Sequence, residues 1–120
     1  MHFNVKDIEQ FQAQKQFIDT AIVPLIHIDL TSERMQQSGS AVDYLLSLTN
    51  FVEQQFRGRL VLLPPFSYTA SLREEQFPSK LKEELLVAGS KTIIFITCDH
   101  YWQSIQKELN VIWLPAIPLE

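Results

Sequence analysis

A chain of 120 residues with 46% hydrophobic and 20% charged side chains has the composition of one globular domain, expected to span residues 1–120, and excludes a disordered polypeptide. Fourteen acidic against ten basic residues give a formal charge of −4 and a pI near 5.3, the reverse of the basic footprint of a nucleic-acid binder. Cys98 stands alone, Met1 to Asp7 lacks the regions of a signal peptide, and no apolar run reaches the roughly 18 residues of a membrane span, so a cytoplasmic location with no membrane is expected.

Asn4 stands three residues before Asp7 as a capping pair, and Ile8, Phe11 and Ile18 follow near helical spacing, which predicts a first amphipathic helix over about residues 5–17. The stretch Ala21 to Leu30 is rich in β-formers but contains Pro24. Proline cannot donate to a central ladder, so the regular strand is placed after it, at Leu25 to Asp29. Thr31 to Gly39 reads as a loop. From Ser40, a candidate cap, to Gly58, a candidate stop, Val42, Leu45, Leu46, Thr49, Val52 and Phe56 mark one helical face. A neighbouring stripe of Ala41, Tyr44, Leu48 and Phe51 makes this second helix more apolar than packing on one sheet requires, so either the first helix or a partner subunit is expected to cover it.

Leu60 to Leu63 and Thr92 to Thr97 are short unalternating apolar runs, the pattern of parallel strands buried on both faces, and Pro64-Pro65 reads as the end of the former. Between them, Ser71 to Glu74 fits one helical turn, and a helix after Pro78 carries Leu81, Leu85 and Ala88 as far as Gly89. A final helix from Asp99 to about Leu109 presents Trp102, Ile105 and Leu109, and Val111 to Leu114 forms a last strand. Helices alternating with strands imply an α/β three-layer sandwich with a mostly parallel four-stranded sheet. The expected strand order is 2-1-3-4, flavodoxin-like, although an order with the first strand at an edge suits Pro24 better.

Open parallel sheets bind ligands beyond the carboxyl ends of their strands. That edge offers Asp29, Tyr68, Asp99 and His100 as candidate catalytic residues, with Ser67 nearby, although such residue types also serve turns and caps. Asp99 ends an apolar strand and opens a helix, where a carboxylate accepts hydrogen bonds from the amides of Tyr101 or Trp102. Capping is therefore its expected main role, with His100 an exposed first-turn residue. His27, Asp29, Asp99 and His100 could meet around a metal, but no ligand pair at helical spacing supports this, and His27 in an apolar strand reads as a hydrogen-bonded core residue. No metal and no cofactor is expected. Gly39, Gly58 and Gly89 draw neither a Walker loop nor a dinucleotide fingerprint. Cys98 lacks a second cysteine for redox chemistry and lacks the arginine six positions on that a phosphatase loop needs, Ser104 standing there, so it reads as a small buried apolar side chain.

The segment Phe17-Ile18-Asp19-Thr20-Ala21-Ile22-Val23-Pro24-Leu25, with the capped helix before it, resembles the YpiF-like family of uncharacterised proteins from spore-forming bacilli. The resemblance covers most of the chain. Members run somewhat longer, and Leu119-Glu120 reads equally as a natural end or as a pair left by a cloning site, so native residues beyond Glu120 are among the expectations. The resemblance brings no activity and no site residues. The leading functional expectation is a non-catalytic binding or regulatory module, forming a homo-oligomer or meeting a protein partner through helix two (Tyr44, Leu48, Phe51). The alternative is a small hydrolase or transferase using Asp29, Tyr68, Asp99 and His100 at the carboxyl edge.

Overall fold

The computed structural model describes residues 1–14, 18–73, 76–105 and 109–116. In chain order its elements are α1 (Val5–Gln14), β1 (Thr20–His27), α2 (Met35–Gln55), β2 (Leu60–Leu62), β3 (Phe66–Tyr68), α3 (Gln76–Val87), β4 (Thr92–Thr97) and β5 (Val111–Trp113), with 3-10 turns at Ala70–Leu72 and His100–Ile105. Every ladder is parallel. The sheet runs β2-β1-β4-β5, and β3 also pairs with β1. Among the described residues the sheet thus has five strands where four were expected, and the order 2-1-3-4 does not describe it fully. The additional strand, β3, follows directly on Pro64-Pro65, which the sequence presents as a stop.

Alternation along the strands divides the core in two. Ala21, Val23 and Leu25 of β1 join Ile93, Phe95, Val61 and Trp102, with Phe11 of α1 and Phe77, Leu81 and Leu85 of α3 packed against them. Ile22 and Ile26 point the other way and join Ile96, Leu60, Leu62 and Leu45 of α2. Helices therefore lie on both faces of a parallel sheet, which is why its strands are apolar at consecutive positions instead of alternate ones.

The expected bounds of β1 fail, and so does the alternative that put it at an edge. The strand begins at Thr20, runs through Pro24 and ends at His27, and it lies inside the sheet, not at an edge. Its ladder to β4 is continuous from Thr20↔Thr92 to Leu25↔Thr97. On the other side the ladder is interrupted: Ile22 pairs with Leu62 and Leu25 pairs with Phe66, so three steps along β1 oppose four along its neighbour. Pro24 falls in that interruption, opposite Pro64-Pro65. Its missing N–H is accommodated where the neighbouring chain has left the ladder.

At the first helix, the Asn4 side chain accepts the Asp7 amide at 2.7 Å, and the Asp7 carboxylate accepts the His2 amide at 3.0 Å. The cap is as expected, and the last three residues of the expected helix, 15–17, lie outside the described residues. The second helix begins at Met35, five residues ahead of Ser40, because Thr31 starts the turn that leads into it: the Thr31 carbonyl accepts the amides of both Arg34 and Met35. The third begins at Gln76, with Pro78 in its first turn, where an N–H has no helical partner to lose. It closes through Gly89, whose φ of 112° only glycine adopts without strain, and the Ser90 amide returns to the Leu85 carbonyl. The final helix is a 3-10 turn over His100–Ile105, and its expected continuation through 106–108 lies outside the described residues.

The first helix does not cover the second: Phe11 of α1 packs on one face of the sheet and α2 lies on the other. Leu46, Phe51 and Phe56 of the α2 segment are exposed, Phe51 by 59%, whereas Tyr44 and Leu48 are half-buried. The stripe of α2 that is buried carries polar groups. Thr49 donates to the Leu45 carbonyl at 2.9 Å, and Glu53, with 1% of its side chain exposed, gathers the Met1 amino group at 3.2 Å and His2 Nε2 and Arg57 Nε at 3.3 Å. Burial opposes charge on Glu53, but the bonds from the amino group and Arg57 outweigh it and hold the carboxyl below its ordinary value.

Candidate functional site

From β1 the chain crosses by α2 to β2 on one side, and from β3 it crosses back by α3, on the opposite face, to β4 on the other. Successive crossovers diverge at the carboxyl ends of β1 and β4, which makes this the topological switch point where such sheets open a crevice. A cleft of about 400 Å³ lies there. His27 and Asp29 from the end of β1, Cys98, Asp99 and His100 from the end of β4, and Arg34 and Ser38 from the start of α2 line it, together with Arg73.

Asp99 organises one wall. Its Oδ2 accepts the Tyr68 hydroxyl at 2.6 Å and Arg73 Nε at 3.0 Å, and its Oδ1 accepts Arg73 Nη2 and the Tyr101 amide, both at 3.1 Å. The position is fixed from behind, since the Asp99 amide donates to Thr97 Oγ1 at 2.9 Å and that hydroxyl donates to the buried Leu25 carbonyl at 2.8 Å. Trp102 Nε1 donates to the Tyr68 hydroxyl, whose oxygen therefore bridges the indole and the carboxylate. Burial, then the bond to Asp99, pushes the Tyr68 phenol well above its usual pKa. Arg73 is gripped as a fork, its guanidinium carbon stands 5.1 Å from the centre of the Tyr101 ring, and Nη2 lies 3.2 and 3.3 Å from the two ring nitrogens of His27.

The expected cap of Asp99 on Tyr101 is present, and it is one of four hydrogen bonds the carboxylate accepts. Of the four candidates, Tyr68 and Asp99 are brought into direct contact. Asp29 and His100 line the cleft beside them: Asp29 Oδ1 accepts both the amide and the hydroxyl of Thr31, at 3.0 and 2.7 Å, and these bonds, side chain first, lower its carboxyl pKa. His100 is exposed, as expected, and meets Trp113 edge to face at 5.6 Å. His27, read as a core histidine, is half-buried, stacks on Tyr68 at 5.9 Å and faces Arg73. Cys98 is half-buried against the α2 side of the core, and burial raises its thiol pKa, as suits a packed side chain. Among the described residues no three of His, Cys, Asp and Glu are grouped to hold a metal ion.

Arg73 and Arg34 were not singled out from the sequence. Recognising β3 was the missing signal: with the strand ending at Tyr68, Arg73 belongs to the loop beyond a carboxyl end, where a ligand-facing arginine is expected. Among the described residues no helix is long and apolar enough to cross a membrane. No solved structure matches the chain. "Uncharacterized protein YpiF" of Bacillus subtilis (strain 168) is similar, 28% identical over 122 residues that cover all of this chain and 80% of the relative. A family model described as "Protein of unknown function (DUF2487)" matches residues 9–120, and the chain belongs to that family.

Proposed function

We propose that this chain is a non-catalytic ligand-binding module, a flavodoxin-like use of the sheet's switch point in which the cleft is the site. The observation that carries this reading is the saturation of Asp99. A general base or nucleophile needs an oxygen that can meet the substrate, and both oxygens of this buried carboxylate are occupied by Tyr68, Arg73 and the Tyr101 amide. The network builds a rigid wall. The cleft it borders falls within the range of about 300–1,000 Å³ typical of small-molecule sites. Amide NMR spectra recorded against a mixed set of neutral, cationic and anionic fragments test the proposal: resonances of Ser38, Cys98 and His100 should shift with at least one class, and the fragment should be recovered chemically unchanged. A cleft that answers to none of the three classes, or a fragment that is converted, overturns it and, in the second case, restores the hydrolase or transferase alternative.

A homo-oligomer or protein partner through helix two is proposed alongside. The support is the exposure of Leu46 and Phe51 on α2. Sedimentation is expected to show an association that Phe51→Lys weakens; a sedimentation coefficient independent of concentration for the wild-type chain would remove the homo-oligomer.

A further inference from the structure

We infer that the cleft takes small organic anions, a carboxylate or phosphate head carried on a compact apolar body, and that Arg73 is the residue anchoring the head. This rests on the cleft being a binding site. An arginine recognises carboxylate or phosphate best when its planar fork is already fixed, because ordering a long side chain on binding costs free energy. Here Asp99 takes Nε and Nη2, and Arg73 still lines the cleft with 23% of its side chain exposed. Among the described residues the bonds to Asp99 and His27 use Nε and Nη2, which leaves the two N–H donors of Nη1 for a ligand.

The hydrogen-bonding groups around the cleft favour the same class. Arg34 and Arg73 face Asp29 and Asp99, an even count; Asp99 is enclosed in the wall by Tyr68, Arg73 and the Tyr101 amide, and Asp29 Oδ1 accepts the Thr31 amide and hydroxyl. The acceptors of Asp99 are thus filled, while Arg73 keeps a donor pair and Arg34 adds a second cation at the cleft. The floor is apolar, formed by Leu25, Ile26, Val42 and Leu45, which suits a hydrocarbon or aromatic body behind the anionic head.

The test is titration of the intact chain with benzoate, phenyl phosphate, inorganic phosphate and benzylamine at one ionic strength, read from the amides of Ser38, Cys98 and His100. Benzoate and phenyl phosphate are expected to bind, each more tightly than inorganic phosphate, and benzylamine to bind more weakly than either. The relative strength of benzoate and phenyl phosphate assigns the head group. Arg73→Lys keeps the charge but loses the fork, and should weaken the better anion on the order of tenfold. Arg34→Gln lies outside the Asp99 network, so its fold is not at stake, and it should weaken the same anion about threefold by removing one nearby charge. Binding of benzylamine as tight as that of benzoate, or anion binding unchanged in both variants, overturns the inference while leaving the cleft a binding site. Silence towards all four probes overturns the inference as well, and silence towards the wider fragment set removes the binding site itself.

Discussion

Asp99→Ala is expected to lower the folding free energy by about 3–5 kcal/mol, the range for removing one partner of a buried ion pair. The alanine deletes the acceptor for the Tyr68 hydroxyl and the Tyr101 amide, and it leaves the largely enclosed guanidinium of Arg73 without its counter-charge. Asp99→Asn retains only a fraction of this. One carboxamide oxygen can still cap Tyr101, but its NH₂ group must face donors from Tyr68 or Arg73. If capping were the whole role, asparagine would restore nearly all the stability, since Asn and Asp cap about equally well. Urea melts of the two variants separate the accounts, and an Asp99→Asn midpoint equal to wild type would sink the network reading. Tyr68→Phe gives an internal check: it should cost about 1–2 kcal/mol alone, and combined with Asp99→Ala less than the sum, because both variants remove the same bond.

Glu53 carries the other large effect. Glu53→Gln is expected to destabilise by about 3 kcal/mol, because the amide cannot balance the amino group and Arg57 that converge on a side chain with no solvent to replace it. The pH dependence has a definite sign. The folded-state carboxyl titrates below its unfolded value, so its contribution is complete above the ordinary carboxylate range and is lost as pH falls through the lowered folded-state value. The stability gap between wild type and Glu53→Gln should therefore stay level near neutrality and narrow on acidification. A gap that widens as pH falls would overturn this account of Glu53.

The layers of this fold are written in the sequence because they depend on apolar runs. Thr92–Thr97 is the expected strand residue for residue, since nothing interrupts its two-faced burial. Prolines misled wherever the ladder, not the chain, gave way. Pro24 was read as a strand boundary although no neighbouring carbonyl calls for an N–H from β1 at that point, and Pro64-Pro65 was read as an ending although the chain resumes pairing one residue later. Burial of Glu53 was invisible for a related reason. A charged residue in an apolar helix belongs by pattern to the wet side, and its partners, at Met1 and His2, are some fifty positions away in the chain. At the cleft, the carboxyl-edge rule located Asp29, Asp99 and His100. Arg73 escaped because its place depends on β3, a three-residue strand too short to show a period of its own.

The step at Pro64-Pro65 also sets the phase of everything after it. In β2 the odd-numbered Val61 faces α1 and α3 while Leu60 and Leu62 face α2; in β3 it is the even-numbered Tyr68 that faces α3 and Trp102. The one surplus residue between Leu62 and Phe66 turns the strand over. Strand side chains alternate with period two, so the parity of that short linker, more than the identity of its residues, decides which face receives Tyr68. The cleft wall can therefore absorb many substitutions at the corner, but not a single-residue change in its length. A chain lacking either proline would send the Tyr68 ring toward α2 and leave Asp99 and Trp102 without it, though every residue of the wall were still present.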